Sequence, residues 1–397
     1  MGAVALRAVV VGLCLCACTE RPSAIEMDAS SPPGSSGGGS RSGGGAATSA
    51  DAGDAACCAP TDAGRDSGAY TPFDYPRQRG PWHELDAGGD VALPFVRVAF
   101  IGDQALTAGA REVLSMIGSE GADLVVHAGD FDYLDMPQAF EHQIDAVLGD
   151  GVPYIAAVGN HDVPAWDGPG GYRARLLARA ARHPALDCWG DYGVNGACRF
   201  HGVLLVISGV GTLGEGHVPF IEGTLADSTA AARVCVWHKN QRDMQVGFKV
   251  DEVGWGAYRA CQTGGALVVT GHEHAYARTF TLTAVGNVGL QHGAGGIPDI
   301  LDLRVGRTAV VVSALAGHST RNFNAALVDN SWWASIYTGG RQVVSGLLVS
   351  QDAQTTFGAL FIDFVLASDG GEATGEAYGY FRLIDGSTVD RFELRFR

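Results

Sequence analysis

The chain is short of positive charge, of cysteine and of long apolar runs, and each shortage removes a class of function. Of its 397 residues only 27 are Lys or Arg, against 43 Asp or Glu, for a formal net charge of −16. A surface of that sign repels polyphosphate backbones, which excludes general binding to nucleic-acid duplexes. No apolar run reaches the roughly 20 residues that a membrane-crossing helix needs. Nine cysteines are too sparse for a disulfide-built miniprotein. Charged residues make up 18% of the chain and hydrophobic ones 46%, so there is enough apolar surface to bury a core, and a wholly disordered chain is excluded. At roughly 100–200 residues per domain, the length exceeds one average domain and falls short of three.

The N-terminus reads as an address. Residues 3–18 (AVALRAVVVGLCLCAC) set one arginine before a short apolar run ending in small residues, the layout of a secretory signal peptide. Leu15-Cys16-Ala17-Cys18 resembles a bacterial lipobox. That resemblance implies a signal peptide over 1–17, removed on maturation, and a lipid on the Cys18 thiol, so that the chain touches a membrane through its anchor alone. Thr19, and not Asp, follows the cysteine; in Gram-negative lipoproteins of this type that favours the outer membrane. The expected location is extracytoplasmic, on the outer membrane or cell surface. Residues 18–71 are dominated by Ser, Gly, Ala, Asp and Pro, including SSGGGSRSGGG, and read as a flexible tether, because such residues cannot offset their ordering entropy by burial. The vicinal pair Cys57-Cys58 lies in it, with no role that physical argument assigns. Residues 72–397 form the expected globular domain, its packed part starting near Leu93.

From there apolar runs alternate with helical patterns. Val96–Ile101, Leu124–Ala128 and Tyr154–Val158 are short, apolar and β-branched, hence buried strands. Leu106–Ile117 and Phe140–Leu148 carry apolar residues at helical spacing between them. Strand–helix–strand–helix–strand predicts parallel crossover units and an α/β class. Each strand is followed at once by ligand-capable residues: Gly102-Asp103-Gln104, then Gly129-Asp130-Phe131-Asp132-Tyr133, then Gly159-Asn160-His161-Asp162. The carboxyl ends of parallel strands are where open α/β sheets place their sites. Two later strands behave alike. Val234–Trp237 ends in His238, and Ala266–Thr270 ends in Gly271-His272-Glu273-His274. One Gly-Asp is an ordinary turn, but three such loops on three consecutive strands, with histidines after two more, are not explained by turn chemistry.

The order GDQ, GDFDY, GNHD, VCVWH, GHEHAYAR resembles the calcineurin-like metallophosphoesterases, and within them most resembles the purple acid phosphatase branch. The match runs from about Arg97 to Arg278. A weaker likeness covers the closing strands of 357–397, in TFGALFIDF, EAYGYFRLIDG and TVDRFELRF. The resemblance implies a four-layer αββα sandwich with two mixed β-sheets and a metal site at the strand carboxyl ends. It also implies two metal ions, the first held by Asp103, Asp130, Tyr133 and His274, the second by Asp130, Asn160, His238 and His272. Mixed oxygen and nitrogen donors suit iron, zinc or manganese better than calcium. Most calcineurin-like enzymes carry a histidine two places after the first aspartate, where this chain has Ala105 and the purple branch has glycine. Tyr133 stands where the purple branch supplies a phenolate, which implies Fe(III) there, with Fe, Zn or Mn at the second position.

The implied activity is hydrolysis of a small phosphate ester, as an acid-phosphatase-like phosphomonoesterase using a hydroxide held between the metals. A phosphodiesterase acting on nucleotides or lipid head groups, and a non-catalytic metal-binding surface lipoprotein, are the competing readings. His161 is the expected proton donor to the leaving oxygen, and Asp162 either orients it or caps the following turn. Asn160, Lys239 and Arg242 are candidate substrate contacts, because a cation next to the fourth motif can hold phosphate oxygens. In 164–220 an arginine-rich helical run carries Arg173, Arg175 and Arg179, which either reach a substrate phosphate or form a solvated face. Cys188 and Cys198 flank a hairpin turn before the strand Val203–Ser208, and their pairing is plausible in a secreted protein, as is Cys235 with Cys261. His292, His318 and Arg321 fall in later Gly-rich loops that could rim the pocket.

Overall fold

The computed structural model describes residues 94–286, 291, 292, 297–367 and 370–397. The signal segment, Cys18, the 18–71 tether with Cys57-Cys58, and residues 72–93 lie outside the described residues. Within them the chain runs β1 (Phe95–Ile101), α1 (Ala108–Ser119), β2 (Leu124–His127), α2 (Pro137–Leu148), β3 (Tyr154–Ala156), α3 (Tyr172–Ala180), β4 (Leu186–Asp191), β5 (Asn195–Phe200), β6 (Val203–Ser208), α4 (His217–Ala226), β7 (Ala232–Trp237), α5 (Gly256–Thr263) and β8 (Leu267–Thr270). It continues through β9 (Tyr276–Thr279), β10 (Leu282–Ala284), β11 (Gln291–His292), β12 (Ile300–Leu303), β13 (Ala309–Ser313), α6 (Ala325–Val328), β14 (Trp333–Thr338), β15 (Arg341–Val344) and β16 (Leu347–Ser350). It closes on β17 (Gly358–Leu366), β18 (Ala373–Leu383) and β19 (Thr388–Phe396). The elements expected through β3 are all present, with ends moved by at most three residues. Residues 280–356, for which the sequence reading assigned no strands, hold a further set of short ones.

Two mixed sheets result. The first has the order β12-β19-β18-β17-β1-β2-β3 and the second β16-β15-β14-β9-β13-β8-β7-β6-β5-β4. β1, β2 and β3 are mutually parallel, as are β6, β7, β8 and β13. The period of two along each buried strand sorts side chains to opposite faces. Val203, Leu205 and Ile207 of β6, with Val234 and Val236 of β7, enter the core shared with the first sheet. Leu204, Val206, Cys235 and Trp237 face the other way, onto Ile221 and Leu225 of α4 and Ala257, Tyr258 and Cys261 of α5. Apolar residues of α1 (Val113, Leu114, Ile117) cover the first sheet. The layers are therefore helices, sheet, sheet, helices.

Polar ties cross the sandwich. Arg278 on β9 is fully buried and donates from Nε and Nη2 to Asp390 of β19, at 2.6 and 2.9 Å. Tyr276 donates to the same carboxylate at 2.6 Å. Disulfides join Cys188 to Cys198 across the β4–β5 ladder and Cys235 of β7 to Cys261 of α5. The arginine-rich run of α3 is a structural clamp: Arg179 is buried on Asp145 and the Val152 carbonyl, Arg175 pairs with Glu141, and Arg173 with Asp191. Arg179 is committed to fold partners, whereas Arg173 and Arg175 stay partly exposed in surface ion pairs, so the solvated-face expectation describes those two and not Arg179. No helix of the described residues is long and apolar enough to cross a membrane.

Candidate metal centre

Five strands aim their carboxyl ends at one place. Asp103 follows β1 by two residues, Asp130 follows β2 by three, Asn160 follows β3 by four, His238 follows β7 directly and His272 follows β8 by two. The loops are laced together by main chain: Asp103 N–H donates to Gly129 O at 3.1 Å, Gln104 N–H to Asp130 O at 3.1 Å, and Ala105 N–H to Phe131 O at 2.8 Å. Two glycines allow this approach. A Cβ on Gly159 would lie 2.1 Å from the Asp130 nitrogen, and one on Gly271 would press on Asp103 Oδ2 and His238 Nδ1 at 3.0 and 3.1 Å.

The backbone here is strained. Asp103, Asp130, Tyr133, His272 and His274 all have φ between 48° and 74°, the left-handed region that costs a non-glycine residue energy. Ala105 does too, at φ 64°. Such strain persists only where the surroundings over-determine it, and it concentrates at functional sites.

The side chains form two adjoining groups. In the first, Asp103 Oδ1 accepts from the Tyr133 hydroxyl at 2.9 Å and lies 3.1 Å from His274 Nε2. His274 Nδ1 is 2.6 Å from the Ser319 hydroxyl. In the second, Asp130 Oδ2 lies 3.2 Å from His238 Nε2, which is 3.0 Å from His272 Nδ1. Donor atoms of Asp130, His238 and His272 all fall within 4.8 Å of one another. The His272 N–H donates to Asp103 Oδ2 at 2.7 Å and joins the groups. Asn160 adds a buried amide oxygen with no hydrogen-bond partner.

This donor set fits cations. His238 Nδ1 faces the Ala128 carbonyl at 2.9 Å, an acceptor only, so that nitrogen carries the proton and Nε2 is bare. The bare Nε2 looks at a carboxylate oxygen and a second ring nitrogen. Acceptors facing acceptors in a buried site need a positive charge among them. In the metal-free protein a proton fills that need: burial works against it, but Asp130 and Asp103 push His238 up to about 9. Burial works to raise Asp103, yet His274, His238 and His272 hold it well below the usual carboxylate range. Burial and then His238 push His272 down to about 4. Burial, Asp103 and Asp130 hold the Tyr133 phenol far above its ordinary value, so without a cation it stays a donor.

The other expected residues are placed differently. Asp162 neither orients the His161 ring nor caps the turn after it, because its oxygens are already taken. Oδ2 accepts from Asp130 N–H at 2.9 Å and Gly159 N–H at 2.7 Å, and Oδ1 from Phe131 N–H at 2.8 Å. It is a clamp between two site loops. Burial and then Asp130 push its carboxyl up to about 8, against the pull of those N–H donors. His161 gives its backbone N–H to Asp130 Oδ1 at 2.9 Å and holds its ring, solvent-exposed, 4.6 Å from the Tyr133 ring. Lys239 does not point free toward a substrate: its Nζ is 2.6 Å from Glu252. Arg242 is exposed on a short 3₁₀ turn. His318 stacks on Tyr133 at 3.6 Å, and Arg321 donates to the His272 carbonyl at 3.2 Å, so both border the site. The side chain of His292 lies outside the described residues. Sequence reasoning missed Glu252, whose Oε2 is 2.7 Å from His272 Nε2, and Ser319. Neither belongs to a motif with readable spacing.

Residues 96–276 match the family model described as calcineurin-like phosphoesterase. The chain carries a calcineurin-like phosphoesterase domain. It is a phosphoric ester hydrolase of the metallophosphoesterase superfamily, a family that works with metal ions on phosphate esters. None of the curated proteins matches the chain. Among solved structures it is similar to GAP50, the anchor in the inner membrane complex of Plasmodium, at 10% identity and a TM-score of 0.47, over 77% of this chain and 90% of that one. It is also similar to a dimetal phosphatase from Danio rerio, at 10% identity and a TM-score of 0.41, over 77% and 100%. A third is PhoD, at 12% identity and a TM-score of 0.39, over 75% and 72%. The matched span of the phosphoesterase domain holds Asp103, Asp130, Tyr133, Asn160, His238, His272 and His274, while Ser319 lies beyond it.

Proposed function

We propose that this chain is a phosphomonoesterase with a two-cation centre, Asp103, Asp130, Tyr133 and His274 holding one ion and Asp130, Asn160, His238 and His272 the other. The observation that carries the reading is the buried cluster of acceptors facing acceptors around His238 Nε2. Two such cations make water more acidic and neutralise charge on a phosphoryl group. The chain's own residues do the rest. Asp103 and Asp130 are fixed by main-chain lacing, and the donors are pre-set by strained backbone, so little reorganisation is needed on binding. The ring of His161, beside Tyr133 and open to solvent, can give a proton from its nitrogen to the leaving oxygen. Arg321 borders the site with a positive group and His318 with a ring that burial and His274 hold below its ordinary value, and the arginine supports a monoester dianion over a diester monoanion.

The position of Tyr133 favours Fe(III) at the first ion, with Fe, Zn or Mn at the second, as in the purple acid phosphatase branch. Metal content and visible absorption test this together. The expected result is about two transition ions per chain, at least one of them iron, and a visible band that Tyr133→Phe removes. Two ions without iron would leave the hydrolase reading and remove the purple-branch one. The mature chain is read as a lipoprotein attached through Cys18, held outside the cytoplasm.

The proton donor has its own test. His161→Ala is expected to slow an alkyl phosphate by about 10²-fold or more, the range for general acid catalysis, while a nitrophenyl ester, whose leaving group needs no proton, loses far less. Equal losses on both esters would remove His161 from that role. Relative kcat/KM on phenyl phosphate and bis(nitrophenyl) phosphate separates the monoester reading from the diester one.

A further inference from the structure

Glu252 belongs to none of the motifs, yet it makes the shortest side-chain contact to a ring of the second group. Its Oε2 is 2.7 Å from His272 Nε2, and its Oε1 is 2.6 Å from Lys239 Nζ. All three side chains are mostly buried, at 22%, 5% and 17% exposure for Glu252, His272 and Lys239. The carboxylate is aimed by main chain. Glu252 N–H donates to the Asn240 carbonyl at 3.2 Å, and Asn240 in turn donates from Nδ2 to Gly271 O at 2.7 Å and accepts from Thr270 at 2.7 Å. The segment bearing Glu252 is thus fastened to the ends of the two strands that carry His238 and His272.

A carboxylate accepts, so the His272 nitrogen facing it carries the proton. Nδ1 is then bare, and it is the atom that faces His238 Nε2. We propose that Glu252 is the positioning residue of the second cation site, fixing the tautomer and orientation of His272, and that Lys239 neutralises Glu252 so that its carboxylate stays on the ring instead of competing for the ion. The inference rests on the two-cation reading above. Lys239, read from the sequence as a substrate contact, becomes a partner of this device.

The test is a titration of the whole protein with Zn²⁺ or Mn²⁺ alone, against a chromophoric chelator, with melting of the metal-free protein measured in parallel. Glu252→Ala is expected to weaken one of two binding steps by about 10–100-fold, the usual effect of losing such a partner of a metal-binding histidine, and to leave the other step unchanged. Glu252→Gln should recover part of the loss, because its amide oxygen still accepts from Nε2–H. Lys239→Met keeps the acceptor but frees it from its cation, and should weaken that step by less than Glu252→Ala does. A wild type that binds two ions and a Glu252→Ala variant that binds them equally well overturns this inference alone. Weakening of both steps together with a lowered melting temperature of the metal-free protein also overturns it, as a structural effect. Wild-type affinity at both steps in Lys239→Met overturns the part given to Lys239. A wild type that binds neither ion overturns the two-cation reading and this inference with it.

Discussion

Asp130→Asn is expected to reduce turnover of phosphate esters by about a thousandfold or more, since the ions it helps hold supply several kcal/mol of charge stabilisation and about 1.4 kcal/mol is a factor of ten. The fold should survive. Asp130 Oδ1 accepts the His161 N–H at 2.9 Å, which an amide oxygen can also do. The amide nitrogen would then occupy the place of Oδ2, 3.2 Å from His238 Nε2, and donate to it. That bond satisfies Nε2 without a proton or a cation, in place of the His238–Asp130 ion pair of the metal-free protein, and the substitution removes one of two neighbouring buried carboxylates. Above about pH 9, where the metal-free wild type has lost the His238 proton and with it that ion pair, the metal-free variant should melt no lower than the metal-free wild type, while it loses bound metal and activity. This split between stability and function is the expected mark of a site built to hold charge. Metal content and kcat on the same preparation check it. A variant with wild-type metal content and wild-type kcat would remove Asp130 from the centre.

Asp162→Ala is expected to act in the opposite way, on folding first. Its carboxylate is fully buried and takes three backbone N–H groups, from Gly159, Asp130 and Phe131. Removing it orphans all three at about 1–3 kcal/mol each, and with imperfect additivity the expected loss is about 3–5 kcal/mol. Asp162→Asn should cost less, about 1–3 kcal/mol, because one amide oxygen can still serve Gly159 and Asp130 while the amide N–H₂ meets the Phe131 donor. Chemical denaturation of the metal-free protein gives both values. A loss below about 1 kcal/mol for Asp162→Ala would mean that the three donors find water, and the clamp would not be structural.

The two aspartates have the same sequence signature, a carboxylate in a short polar loop after a buried strand. Their difference lies in what faces each oxygen. Asp130 meets bare ring nitrogen, and Asp162 meets only N–H donors. Nothing in Gly159-Asn160-His161-Asp162 distinguishes a carboxylate that orients the histidine from one that pins the neighbouring loop, because the pinned donors come from a loop about thirty residues earlier.

The same limit runs through the fold. β1 to β3 with their helices were legible because each strand is a buried apolar run and each helix carries a periodic stripe. β9 to β16 were not. They are two to six residues long, β13 (AVVVS) alone among them reads as a buried apolar run like β1, and β16 (LLVS) is an exposed edge whose pattern gives neither alternation nor burial. The arginines of α3 were legible as charge but not as partners, because Asp145 and Glu141 lie on another helix.

The sequence by itself determined which residue types stand after which strands, and so the positions of Asp103, Asp130, Tyr133, Asn160, His238, His272 and His274, because strand periodicity and the right-handed βαβ connection bring successive carboxyl ends to one edge. Only the tertiary structure decided what each of those groups can do. The Ala128 carbonyl and Glu252 set which ring nitrogens are bare, three backbone amides commit Asp162, and Glu252 takes Lys239 away from the substrate. Hydrogen-bond partners distant in the chain leave no spacing to read, and in a buried site they fix protonation, orientation and charge.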